Sequence, residues 1–557
     1  MFKKITLLLL LGSWICSSTA AKALSPSPIL TGVVSSQGEG QMEGVLVKAK
    51  RVDGIVTVTV VSDIKGRYGF PKDKLQPGKY QISIRAVGYD LMNPPTVDIA
   101  SEKATELDLK LQKTKNLASQ LSNTEWLMSF PGTPEEHSMI YNCVTCHSLT
   151  RIARSNFDSN GWDSWLQEMG TLGRIGRAKP EAWPSPMPHG PMFTKYLSSI
   201  NLSSTEKWNY DLKTLPRPKG RATRVLITEY DLPNEDSQPH EIVVDAQGMV
   251  WYADFVRPYL YKFNPSTTEF KEYRLPDLKL DHPFGSNCLA LDKKGNLFMV
   301  MLKQAGIAKF DPKTEQFTTW KIPSFDNPVA HAGCLSLPPD GNVWLEDTGT
   351  TLVHKLDVKT GQFTTIDPFP DQKGLSASER DAGYMGGSST VKRHAMYGQE
   401  SDSKGNLYIA DIGAGNIERI DAETGKETFF PTPTPNSGPR RMDMDREDRL
   451  WFGEYYAGKI GLFDTKTTKF KEWAVPTPNA APYDVGSDKN GEIWGGGMHT
   501  DLVYRLNPKT GEIVQYLLPT LNVNIRSLNA VDNRTSPVTI WVGETHTHKI
   551  AKVEPLN

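Results

Sequence analysis

Seven times between residues 224 and 557 the chain makes an Asp/Gly turn and follows it with a large aromatic residue. These are Trp251, Phe298, Trp344, Tyr408, Trp451, Trp494 and Trp541, at intervals of 47, 46, 64, 43, 43 and 47 residues. Each unit continues with a strand such as Tyr259-Leu-Tyr-Lys-Phe-Asn264, an Asn/Asp-Pro or Asp-x-Lys-Thr turn, and a last segment such as Phe270-Lys-Glu-Tyr-Arg-Leu-Pro276. Four short strands in about 45 residues make a propeller blade, and seven aromatics predict seven blades. The last unit has no outer strand after Val553, while Val225-Leu-Ile-Thr-Glu-Tyr-Asp-Leu-Pro233 precedes the first inner strand with nothing to pair. That segment is expected to complete the seventh blade, which removes two free sheet edges together. A solenoid would need polar capping repeats, and none is apparent.

The remaining residues divide into a leader and two smaller units. Lys3 and Lys4, the apolar run Ile5 to Ile15, and Ala21-Lys22-Ala23 read as a secretory signal peptide over 1–23. Its apolar run is too short to span a bilayer, and Ile15 before Cys16 disfavours lipidation. The protein is therefore expected to be periplasmic or secreted, with no transmembrane segment. The full chain of 557 residues carries a net charge of −1, which becomes −4 once Lys3, Lys4 and Lys22 leave. No basic excess exists to neutralise phosphates, so nucleic acid is excluded as a partner. Cleavage also leaves four cysteines: Cys143, Cys146, Cys288 and Cys334.

Residues 28–113 alternate with period two in Val45-Leu-Val-Lys-Ala-Lys50, Val56-Thr-Val-Thr-Val-Val61 and Leu107-Asp-Leu-Lys-Leu111. Asp63-Ile-Lys-Gly66 and Gln76-Pro-Gly78 supply turns, so a β-sandwich is expected. The pattern Gly32-Val-Val, Ser62-Asp-Ile-Lys-Gly-Arg-Tyr-Gly-Phe70, Pro77-Gly-Lys-Tyr80 and Val87-Gly-Tyr89 resembles the carboxypeptidase-regulatory-like domain. That resemblance implies a non-catalytic spacer or docking module.

Residues 115–215 switch to helical period. Thr133-Pro-Glu-Glu136 forms a capping box; Trp162, Trp165, Leu166 and Met169 make one apolar stripe, and Phe193, Tyr196, Leu197 and Ile200 another. Within this segment Cys143-Val-Thr-Cys146-His147 has the spacing for covalent haem c: two thiols one turn apart for the vinyl groups, and an adjacent imidazole for the iron. A thioredoxin-like pair would need a surrounding βαβ pattern, and a zinc site a second C-x-x-C. The segment resembles a small class I cytochrome c, which implies a sixth iron ligand just before the last helix. Met187 in Ser185-Pro-Met-Pro188 holds that place, with Met192 and His189 as rivals. Met169 reads instead as core. The expected fold class is thus multi-domain and mainly β: an N-terminal sandwich, a small all-α cytochrome c domain and a C-terminal seven-bladed propeller over 224–557.

The blades resemble those of the virginiamycin B lyase family, in Pro239-His-Glu-Ile-Val-Val-Asp-Ala-Gln-Gly-Met-Val-Trp251, Gly458-Lys-Ile-Gly-Leu-Phe-Asp464 and Phe470-Lys-Glu-Trp-Ala-Val-Pro476. In that family a Pro-His in each of the last two blades, a glutamate before the final His and an early tyrosine carry catalysis. The matching positions here are Pro482-Tyr483, Ile525-Arg526 and His240, so the resemblance speaks for the fold more than for the activity. One face collects histidine: His240, His282, His331 and His394 in loops leading into inner strands, and His499, His546 and His548 in loops between second and third strands. Arg440, Arg441, Tyr483 and Arg526 join them. A twenty-residue excess within 372–398 brings Arg380, Tyr384, Arg393 and His394 over the same face. Convergent polar groups of this kind mark sites, against the plainer reading of a solvated rim. His240, His394, Glu544 and His546 are the catalytic candidates. Cys288 and Cys334, on neighbouring inner strands, read equally as a disulfide and as buried thiols.

Two functions compete, and a third reading, a binding or structural protein built from a sandwich and a propeller, is disfavoured by the haem motif. The first is an exported c-type cytochrome that transfers electrons to a redox partner protein while the propeller binds or oxidises a small molecule. The second is a propeller lyase or hydrolase with an accessory haem domain. A lactonase would ordinarily have six blades and a Glu/Asn/Asp calcium site, and neither is found.

Overall fold

The computed structural model describes residues 28–100, 103–175, 190–203, 207–280, 282–327, 330–370, 394–528 and 530–556. The expected signal peptide, Met187, His189, Arg380, Tyr384 and Arg393 lie outside the described residues. The chain is mainly β. Six four-stranded antiparallel sheets follow one another, with inner strands Pro239–Val244, Leu289–Leu291, Ala332–Ser336, Met396–Ser401, Pro439–Met444 and Pro482–Ser487. Consecutive inner strands lie against each other, and Pro239–Val244 meets Thr539–Glu544 of the last unit, which closes the ring. The aromatic repeat has a local cause. A turn aspartate six residues upstream accepts the indole N–H in three blades: Asp245 from Trp251 at 2.8 Å, Asp445 from Trp451 at 2.9 Å and Asp488 from Trp494 at 3.1 Å. The Tyr408 hydroxyl reaches Asp402 in the same way at 3.4 Å. The rings are buried between adjacent blades, so these four repeats satisfy their polar edge locally and their apolar face through a neighbour.

The seventh blade closes as expected. Strand Val225–Asp231 pairs antiparallel with Lys549–Pro555, from Val225 opposite Pro555 to Asp231 opposite Lys549. Its other edge is also occupied. Val56–Val61 of the sandwich pairs with it, from Leu226 opposite Val60 to Tyr230 opposite Val56. One eight-stranded sheet therefore runs from the last blade through Val56–Val61, Leu46–Arg51 and Gly78–Arg85 to Thr96–Ile99. The Asp231 carboxylate takes both Lys50 of the sandwich and Lys549 of the last strand. The second sandwich sheet is built on Pro28–Ser36, and Ile29, Leu30, Val47, Phe70 and Ile82 fill the space between the two.

Residues 115–215 carry the helices. Ser122 and Glu125 cap Asn123–Ser129, and Thr133 and Glu136 cap Pro134–Tyr141 in the expected box, with reciprocal contacts of 3.2 and 2.8 Å. Ser159–Ile175 and Pro191–Ile200 pack together over Trp126, Leu149, Trp162, Leu166, Phe193 and Leu197. Trp165 departs from the expected stripe: its side chain is exposed and rests on Phe157 with ring centres 5.6 Å apart. The buried face of that helix is narrower than period alone suggests. Among the described residues no helix is long and apolar enough to cross a membrane.

Candidate functional site

Five inner strands begin with the same irregularity. The ladder to the second strand slips between Pro239 and Glu241, Ala332 and Leu335, Met396 and Gly398, Pro439 and Met442, and Pro482 and Asp484. A bulge sets its extra residue out of the pairing and re-aims the side chain. The residues so placed are His240, Cys334, Tyr397, Arg440 with Arg441, and Tyr483. Contacts across the ring join them at the mouth of the channel.

Arg440 sits among three phenol rings, 4.3 Å from Tyr397, 4.1 Å from Tyr455 and 4.3 Å from Tyr483. It donates to the Tyr397 hydroxyl at 2.8 Å, the Tyr397 and Tyr483 hydroxyls are 2.7 Å apart, and Tyr483 meets His240 Nε2 at 3.4 Å. Phe255 stacks on His240 at 5.0 Å and receives the Arg526 guanidinium at 5.3 Å. Arg441 crosses the channel from the fifth blade. It pairs with Glu241 of the first blade at 2.9 Å, donates to the Asn287 carbonyl and approaches Cys334 Sγ at 3.3 Å.

Burial governs the protonation states here. It works against ionisation of Tyr397, but Arg440, Arg441 and the Tyr483 hydroxyl outweigh it and bring that phenol below its ordinary value. Burial holds Tyr483 well above the usual phenol range. Burial and then the three arginines push His240 well down, so its imidazole is neutral, and its Nδ1 has no hydrogen-bond partner. Cys288 is opposed by burial, yet the Cys334 thiol and Arg441 bring it down to about 7. Cys288 and Cys334 are free thiols, not a disulfide.

The helical segment covers this mouth. His499 Nε2 bonds the Tyr141 carbonyl at 2.8 Å, Asn524 donates to the Val144 carbonyl at 2.9 Å, and Arg526 donates to the Thr145 carbonyl. Tyr141 packs its ring on His499 at 4.0 Å. The C-x-x-C-H turn thus rests on blades six and seven. Cys143 is held as a neutral thiol by burial, pushed up to about 12. Among the described residues no three His, Cys, Asp or Glu side chains gather as a metal site.

The predicted rim histidines separate. His240, His499 and His546 reach the central cluster, the last through Arg526 at 3.5 Å. His394 does not: its Nδ1 meets Asp411 at 2.6 Å, and its ring lies on Phe369 and Phe429. Glu544 bonds Thr547 at 2.7 Å and neighbours Glu229 and Lys549, on the side of the strand that faces Val225–Asp231. Two aspartates at the ends of second strands, Asp254 and Asp347, are turn caps. Asp254 accepts the backbone N–H groups of Gln238, Val256 and Arg257, and Asp347 those of His331, Gly349 and Thr350. Sequence reasoning missed Tyr397 and Tyr455. The signal available for Tyr397 was its place one residue after the start of an inner strand, the same place as His240 and Tyr483.

Two family models match the chain: the carboxypeptidase regulatory-like domain over residues 29–112, and the Virginiamycin B lyase family over residues 388–556. Virginiamycin B lyase from Staphylococcus aureus is 22% identical, over 59% of this chain and 98% of its own, with a TM-score of 0.49. A streptogramin B lyase is 22% identical over 60% and 99%, with a TM-score of 0.49. The WD40 repeats of RRP9 are 11% identical over 58% and 97%, with a TM-score of 0.42. No curated protein matches the chain. The expectation of an exported electron-transfer cytochrome is corrected by the lyase-family match. The two families matched are those of the sandwich and of the propeller, and neither is a cytochrome. What the helical segment does in this structure is cover the propeller mouth, and a cytochrome c domain over 115–215 is not shown.

Proposed function

We propose that the chain is a propeller enzyme of the lyase or hydrolase kind, acting on a small molecule at the channel mouth. One observation carries this reading. Tyr483, Arg526 and His240 hold the positions that are catalytic in the lyase family, and a phenol and an imidazole still meet there at 3.4 Å. The two residue types have changed places across the channel: the family's early tyrosine is His240 here, and the Pro-His of the sixth blade is Pro482-Tyr483. Elimination and hydrolysis both need a group that takes a proton and a group that returns one to the leaving oxygen. The neutral His240 imidazole has a ring nitrogen to take the proton, and Tyr483, held protonated by burial and bonded to Tyr397, has one to give to the leaving oxygen.

Haem c belongs to this proposal as an accessory group. Cys143 and Cys146 lie one turn apart, and His147 Nδ1 bonds the Ser148 carbonyl at 3.0 Å, which leaves Nε2 for a metal. Bound there, haem would supply a covalently held iron centre beside the cover. Export to the periplasm or medium is part of the same reading.

The test is a panel of linear and cyclic esters incubated with the full chain, with elimination and hydrolysis products read by mass spectrometry. Tyr483→Phe and His240→Gln are each expected to lower turnover by about 10²–10⁴-fold. Turnover that survives both substitutions, or no turnover of any ester, overturns the proposal.

A further inference from the structure

Three guanidiniums are buried at the mouth: Arg440, Arg441 and Arg526 are 5%, 4% and 3% exposed. Burying a charge without a counter-charge is costly, so each should have one. Arg441 has Glu241 at 2.9 Å. Among the described residues no carboxylate ion-pairs with Arg440 or Arg526. Arg440 touches only phenols, and its Nε and Nη1 have no hydrogen-bond partner. Arg526 has the Asn524 side-chain oxygen at 2.6 Å and the Thr145 carbonyl, both neutral. Two more buried acids lie nearby: Asp484 accepts the backbone N–H groups of Val485 and Leu528, and Glu346 accepts that of Cys334.

We infer that Arg440 and Arg526 form the binding site for an organic carboxylate, which defines the substrate class of the propeller. Three phenol rings lie within 4.3 Å of the Arg440 guanidinium and the Tyr397 hydroxyl takes its Nη2, so a ligand meets the edge that carries the unpartnered Nε and Nη1. A planar carboxylate matches a guanidinium edge through paired hydrogen bonds. The Arg526 donor now held by the Thr145 carbonyl is the second contact, and a carboxylate oxygen takes it more strongly than a neutral amide does.

This inference rests on the propeller-enzyme reading, and the experiment separates the two. Succinate, succinamide and inorganic phosphate are titrated into the full chain by calorimetry in a low-chloride buffer. Succinate is expected to bind, succinamide not to bind, and phosphate to bind at least tenfold more weakly than succinate. Arg440→Gln and Arg526→Gln should each weaken succinate at least tenfold. Tyr483→Phe should bind it like wild type although turnover is lost. Equal binding of succinamide, phosphate preferred to succinate, or no succinate binding overturns the inference. A tyrosinate absorbance at pH 7.5 that is lost in Tyr397→Phe, with no succinate heat, would assign the counter-charge to Tyr397 instead.

Discussion

His499 joins the propeller to its cover, and lowering the pH should break that join by a calculable amount. Its Nε2 bonds the Tyr141 carbonyl at 2.8 Å, and the side chain is 1% exposed. Burial brings its pKa down to about 4. An unfolded histidine titrates near 6.5, so between these values the unfolded chain binds the extra proton and the folded chain does not. The stabilisation is complete above pH 6.5 and is lost as the pH falls toward 4. From pH 7.5 to 5.0 the loss comes to about 2 kcal/mol for this one imidazole. Many other groups titrate over that range, so the measurement is a difference. Urea unfolding followed by tryptophan fluorescence is run at both pH values on wild type and on His499→Gln. Wild type should lose about 2 kcal/mol more than the variant. Parallel losses in the two proteins would mean that His499 is solvated, and would refute the docked cover.

Two further substitutions probe the frame. Asp231→Asn removes the carboxylate shared by Lys50 and Lys549; with about a third of that side chain exposed, the expected loss is ~0.5 kcal/mol, read as a small fall in urea midpoint. Gly497→Ala would place a Cβ 1.9 Å from the Ala480 carbonyl oxygen and 2.6 Å from the Tyr504 hydroxyl, beneath the mouth. Backbone cannot yield cheaply there, so a loss of about 3 kcal/mol is expected, and an unchanged Tm would count against this strand register.

The propeller was legible because its repeat is local: an aspartate and an aromatic six residues apart make their contact within one blade. The closing strand was legible for a related reason, since Val225–Asp231 had strand character and no partner nearby. The site was legible only in part. Arg440, Tyr483 and His240 could be placed at the start of inner strands, but which rim residues turn inward depends on the bulges. A bulge is a property of pairing, not of composition, and it separated His240 from His394. Likewise Glu544 stood near His546 in sequence, yet the strand ends at Glu544: its carboxylate bonds Thr547 in the turn, while His546 meets Arg526. The helical segment misled most. Cys143, Cys146 and His147 announce a chemistry of their own, while nothing within 115–215 says that its carbonyls dock on Asn524 and Arg526 nearly four hundred residues later.

The shared sheet also sets an order of events during synthesis. The ribosome delivers Val56–Val61 first, Val225–Asp231 next and Lys549–Pro555 last, and Asp231 and Lys549 are 318 residues apart. A propeller's closing strand ordinarily waits as a bare edge until the final blade emerges, and such edges invite aggregation. Here the waiting strand emerges beside a sandwich that has already been made and offers it a ladder. The N-terminal unit is placed to hold the first half of the clasp in register before the second half arrives.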